Sequence, residues 1–289
     1  MNSKYKAGDV LIFGKVEGEI LDEVIALLTD SEVTHSALVC DERNCVQMWK
    51  AGIVKTEIGE YPERSVYHLR HTSETDMSKV VEAADFYFNK SIPYDFPSIV
   101  MLGGILIYHR NSYTPEYKAI VDTILGIACW SLDKLLNKII HGEDNYAMMC
   151  SQLVYQCFFD AGGNHRIKIK NGVVWHGRRK ENTPRLVDLL SENKNYETFQ
   201  IPSYDIGNIN EDELIHKLYM ALKNEPSPTI NKLLLNNAWY DTMPKVRKFL
   251  DLLEKILETL GSHMPLPSLF ITPEDLFHNA ENLVEVKES

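Results

Sequence analysis

The chain has 289 residues, 44% of them hydrophobic and 25% charged, the profile of a folded protein with a sizeable core and room for one large domain or two small ones. Acidic residues outnumber basic ones 41 to 30, a formal charge of -11. That balance argues against a nucleic-acid partner, where Lys and Arg must neutralise phosphate, and against electrostatic adhesion to anionic membranes.

The opening M-N-S-K-Y-K-A-G-D-V has no apolar signal core, so the expected location is cytoplasmic. V-L-I-F (10–13) reads as a strand, and E-I-L-D-E-V-I-A-L-L-T (19–29) as a helix with Ile20, Val24, Leu27 and Leu28 on one face. V-T-H-S-A-L-V-C (33–40) and C-V-Q-M-W (45–49) flank the polar turn D-E-R-N and predict a hairpin. Strands follow at G-I-V-K-T-E-I and S-V-Y-H-L-R-H, then an amphipathic helix at K-V-V-E-A-A-D-F-Y-F.

Two strongly apolar segments come next, at 96–108 and 117–140. The first is too short to span a membrane, and Asp122, Asp133 and Lys134 interrupt the second, so buried helices or a greasy acyl-binding lid are expected rather than an integral span. Residues 204–266 read as helical, with N-E-P-S-P-T as a linker. T-P-R-L-V-D-L-L-S-E-N (183–193) and T-P-E-D-L-F-H-N-A-E-N (272–282) are both Thr-Pro helix starts.

The five cysteines, Cys40, Cys45, Cys129, Cys150 and Cys157, are too few and too scattered for a disulfide framework. Cys40 and Cys45 read as small apolar residues of a sheet; one C-x4-C does not make a zinc site. Cys150 differs, because C-S-Q-L-V-Y-Q-C-F-F-D-A-G-G places it in the first turn of a helix. There, unpaired backbone N–H groups and the helix dipole favour the thiolate and can stabilise an oxyanion. Cys157, two turns on, reads as core.

A thiolate nucleophile needs a proton-transfer partner. Among ten histidines, His35 stands out, because T-H-S-A-L-V places it in an apolar strand on the face of Ala37 and Val39. His68 and His71 form H-x-x-H, but three residues apart on a strand they point to opposite faces and do not share a metal. H-G-E-D (141–144) reads as a solvated turn. On the strand paired with His35, Gln47 is the nearest polar side chain able to accept from the ring.

The order G-D-V-L-I-F, T-H-S-A-L-V, C-V-Q-M-W, I-P-Y-D-F, C-S-Q-L-V-Y resembles the circularly permuted branch of the NlpC-type papain-like superfamily, most closely its YiiX-like group. I-T-P-E-D-L-F is similar to that family's closing helix. The resemblance covers about residues 6–71, 82–96, 146–161 and 271–286. It implies Cys150 as nucleophile and His35 as general base, with Tyr94, Asp95 and Ser151 lining the substrate cleft. Many members carry Glu as the third residue, where this chain has Gln47 or Met48.

The expectation is therefore an α+β fold, a permuted papain-like antiparallel sheet or partial barrel packed on the nucleophile helix. Its catalytic domain is expected over 1–200 with an apolar helical insertion at about 97–145, and a helical elaboration over 201–289 that packs back on the catalytic domain. The expected function is cysteine-dependent acyl hydrolysis or acyl transfer on an amide, ester or thioester through Cys150, His35 and Gln47. It would need neither metal nor organic cofactor. The substrate would be a small molecule, lipid or peptide, with the apolar segments favouring an acyl chain. The alternatives are a catalytically inactive papain-like module that binds a lipid or peptide, and a cell-wall peptide amidase.

Overall fold

The apolar and alternating runs of the N-terminal part become strands, as their patterning predicts. The computed structural model describes residues 4–59, 61–73, 75–95, 99, 115–141, 147–173, 210–223, 243–260 and 271–287. Its elements are β1 (Val10–Gly14), α1 (Ile20–Thr29), β2 (Val33–Val39), β3 (Asn44–Trp49), β4 (Gly52–Glu57), β5 (Val66–His71), α2 (Ser78–Asn89), α3 (Pro115–His141), α4 (Cys150–Ala161), α5 (Glu211–Lys223), α6 (Met243–Leu260), α7 (Pro273–His278) and β6 (Leu283–Glu285). Among the described residues this is an α+β fold with one six-stranded antiparallel sheet and seven α-helices. The chain divides into two compact units, one of residues 1–95, 146–173 and 268–289, the other of 96–145 and 174–267.

The first unit holds the whole sheet, in the order β4-β3-β2-β1-β5-β6. Every residue of β1 and β2 is buried, which is why their sequences are apolar or small and polar rather than charged. The register sets what each face presents. Phe13 pairs with His35 and Ala37 with Gln47, so side chains at 13, 35, 37, 47 and 49 share one face. α4 packs on β2 and β3, and α2 packs on α4. Leu153, Val154, Cys157 and Phe158 are fully buried along α4. Burying each large apolar side chain contributes about 1.5–3 kcal/mol, enough together to fix where the helix begins.

Residues 271–287 belong to this unit. β6 pairs with β5 at the sheet edge, Leu69 opposite Glu285 and His71 opposite Leu283. α7 starts as the Thr-Pro pattern predicts, with Pro273 in its first turn and a capping box in which Asp275 N donates to Thr272 Oγ1 (3.2 Å) and Thr272 N to Asp275 Oδ2 (2.9 Å). The Asp275 carboxylate also accepts from Val173 N at 2.8 Å, tying α7 to the end of the segment that follows α4. These long-range ties carry no local sequence mark.

In the second unit α3 packs on α6 and α5. Ile124, Leu125, Ala128, Cys129 and Leu132 of α3 are buried, as are Leu214, Ile215, Leu218 and Leu222 of α5 and Phe249, Leu252 and Ile256 of α6. Their three- and four-residue spacing gives one apolar stripe per helix. Lys245 and Asp122 form an ion pair across α6 and α3. Among the described residues no helix is long and apolar enough to cross a membrane. The apolar segment at 96–108 (except Ile99), the turn at 142–144, the Thr-Pro start at 183 and the linker at 224–229 lie outside the described residues.

Candidate active site

Two devices present Cys150. An extended stretch leads into α4, with Met148 N donating to Pro93 O (3.1 Å) and Asp95 N donating to Met148 O (3.0 Å), a parallel bridge between Tyr94 and Met148. Met149 then caps the helix in extended conformation (φ -87°, ψ 166°), its N–H held by Gln152 Oε1 at 3.3 Å. Cys150 is the first helical residue and is 6% exposed. Tyr94 and Asp95 are thus half-buried neighbours of the chain that delivers the cysteine.

His35, on β2, and the Cys150 sulfur are close enough to interact electrostatically. The His35 Nε2–H donates to Gln47 Oε1 at 2.9 Å, which leaves Nδ1 for the sulfur. Gln47 is 3% exposed, and its own Nε2–H donates to Thr56 Oγ1 of β4 at 2.7 Å. Met48 points to the opposite face, across from Ile53, so of the two candidates only Gln47 meets the histidine. Trp49 stacks on the His35 ring (centroids 5.2 Å, 23° between planes), and Phe13 lies against it at 5.4 Å.

The electrostatics follow from these contacts. Burial on its own lowers the His35 pKa, but the Cys150 charge and hydrogen bond, with the bond to Gln47, bring it above 6.5. Burial on its own raises the Cys150 thiol, but the His35 charge and hydrogen bond, with the Ser36 and Ser151 N–H groups, bring it below 9.0. Each partner therefore shifts the other toward its charged form. The other four cysteines go the opposite way. Burial pushes Cys40 and Cys129 up to about 12, raises Cys45, and takes Cys157 well above the ordinary thiol value.

Arg64 opposes His35 protonation weakly, from a position where its guanidinium donates to Asp22 at 2.8 Å. Ser151, expected to line the cleft, is 2% exposed and its hydroxyl donates to Ile271 O at 2.7 Å. That side chain is spent on anchoring the C-terminal segment, and what Ser151 offers the site is its backbone N–H to the sulfur.

His68 and His71 stay outside the site and face opposite sides of the sheet: His68 Nε2–H donates to Asp9 at 2.6 Å, while His71 stacks on Phe158. Among the described residues no group of three or more His, Cys, Asp or Glu is placed to hold a metal ion. Sequence reasoning missed Thr56 and Trp49. Both could have been read by pairing the 45–57 hairpin about its turn, since Trp49 pairs with Gly52 and Cys45 with Thr56, placing 45, 47, 49 and 56 on one face.

No family model, curated protein or solved structure matches the chain.

Proposed function

We propose that this protein is a cysteine-dependent acyl hydrolase or acyltransferase of the circularly permuted papain-like type, close to the YiiX-like group. The observation that carries the reading is the Cys150–His35–Gln47 relay, in which the one cysteine at a helix start meets a histidine whose far nitrogen is held by an amide oxygen. In chain order the histidine strand precedes the cysteine helix, as that branch requires.

The Cys150 thiolate attacks the carbonyl carbon of an amide, ester or thioester, forming a C–S bond and an oxyanion. The Cys150 backbone N–H, which like the other first-turn N–H groups has no intrahelical acceptor, donates to that oxygen. The tetrahedral species collapses as the His35 imidazolium gives its proton to the departing nitrogen, oxygen or sulfur. Neutral His35 then takes a proton from water or an acceptor, which attacks the acyl-cysteine and breaks the C–S bond. The Trp49 indole, 44% exposed beside His35, supplies an apolar surface for the acyl side.

The test is acyl trapping. The protein is incubated with a fatty-acyl thioester, a fatty-acyl ester and a peptide amide, quenched in acid, and mapped by peptide mass. The reading expects an acyl mass on the Cys150 peptide from at least one donor and none from Cys150→Ala. No adduct and no turnover from any donor would move the protein to a papain-like binding module.

A further inference from the structure

We infer that Thr56 is a positioning residue that fixes the tautomer of His35 by locking the amide of Gln47. The inference rests on the reading of Cys150 and His35 as a nucleophile pair and extends it by one residue. A carboxylate in the third position accepts hydrogen bonds through either oxygen, so it needs no orientation. An amide does need one. With Oε1 toward His35, the ring carries its proton on Nε2 and keeps Nδ1 free to receive the proton of Cys150. With the amide turned over, an N–H would face Nε2, the ring proton would move to Nδ1, and the thiol would have no acceptor.

The contacts around Gln47 favour the first arrangement at both ends. Oε1 lies 2.9 Å from His35 Nε2 and Nε2 lies 2.7 Å from Thr56 Oγ1. A threonine hydroxyl can donate as well as accept, so it locks the amide only if its own proton goes elsewhere. Cys45 Sγ lies 3.5 Å from Thr56 Oγ1 and is fully buried; either atom of that contact can donate, and with Thr56 donating the sulfur takes its proton. The chain Cys45, Thr56, Gln47, His35, Cys150 then runs with every donor matched to an acceptor. The register places it, because Cys45 is directly across from Thr56, and Gln47 is two residues along the same face. Gln47 is 3% exposed, so water does not replace the missing partner when Thr56 is changed.

The experiment is a double-mutant cycle read by iodoacetamide labelling of Cys150 at pH 6. Thr56→Val keeps the branched strand residue and removes the hydroxyl. It should slow Cys150 labelling about tenfold, the change that a one-unit rise in the thiol pKa produces. Thr56→Ser should stay within about twofold of wild type, and Thr56→Ala should repeat the valine result. In a Gln47→Glu background, Thr56→Val should change labelling by less than about twofold, because a carboxylate has no wrong end. Equal losses in both backgrounds would mean a merely structural threonine and would overturn the inference. Unchanged labelling in Thr56→Val and Thr56→Ala, with wild-type Cys150 fast, would overturn it alone. Slow Cys150 labelling in the wild type would instead overturn the nucleophile reading beneath it.

Discussion

His35→Ala is expected to slow alkylation of Cys150 at pH 6 by about a hundredfold or more. Only His35 and two backbone N–H groups oppose the burial that would otherwise raise this thiol. Cys40 and Cys129 show what burial does without such a partner, standing at about 12. A thiol back in its ordinary range of about 8.5 is roughly 0.3% ionised at pH 6, so losing the partner that lowers it removes most of the thiolate at that pH. The pH profile separates the two cases by sign. A lowered thiol keeps reacting as the pH falls through the range where ordinary thiols stop, and loses reactivity only below its own lowered value. In His35→Ala that acid limb should move upward. The raised pKa of His35 extends the imidazolium above pH 6.5, so leaving-group protonation in turnover should persist above that pH. A His35→Ala profile that overlays the wild type would remove the proton-transfer role from His35.

Asp9→Ala should destabilise the fold by about 3–5 kcal/mol, the cost of breaking a buried pair by deleting one partner. Asp9 is 1% exposed and accepts from Arg70 Nε and an Arg70 terminal nitrogen (both 2.7 Å), from His68 Nε2 (2.6 Å) and from Lys6 N (2.9 Å). Without it, the buried His68, whose Nδ1 already has no partner among the described residues, loses its second contact as well. The preceding glycine is equally constrained, since at φ +84° a Cβ on Gly8 would come within 2.5 Å of Met77 Cγ. Burial on its own raises the Asp9 carboxyl, but the Arg70 and His68 hydrogen bonds, with the Lys6 N–H, bring it below 3.8. A carboxyl lowered in the folded state contributes stability above its unfolded value of about 3.9 and loses it as the pH falls through the folded value. Urea midpoints for wild type and Asp9→Ala should therefore be far apart at pH 7 and draw together below about pH 4. A gap that stays constant with pH would mean that the carboxylate charge is not what stabilises this corner.

The sheet was legible from sequence because β1 and β2 are buried on both faces and because the 45–49 strand alternates. The start of α4 was legible from the cysteine at the head of a long apolar run, and the face of His35 from period two. The choice between Gln47 and Met48 needed the register, which sets one residue on the histidine face and the next on the other. Ser151 was misread because its partner, the Ile271 carbonyl, is 120 residues away. The return of β6 to pair with β5 carried no local mark for the same kind of reason, since it comes after the whole second unit. Thr56 went unnoticed because its meaning depends on two partners that only the hairpin register brings together.

The central claim is that Cys150 is a primed nucleophile. It is tested most directly by iodoacetamide labelling of the intact wild-type protein across pH, located by peptide mass. The account predicts that Cys150 labels first and keeps labelling well below about pH 8.5, while Cys40, Cys45, Cys129 and Cys157 lag at every pH. Cys150 labelling no faster than those four would contradict it and leave the cysteine at the head of α4 as packing alone.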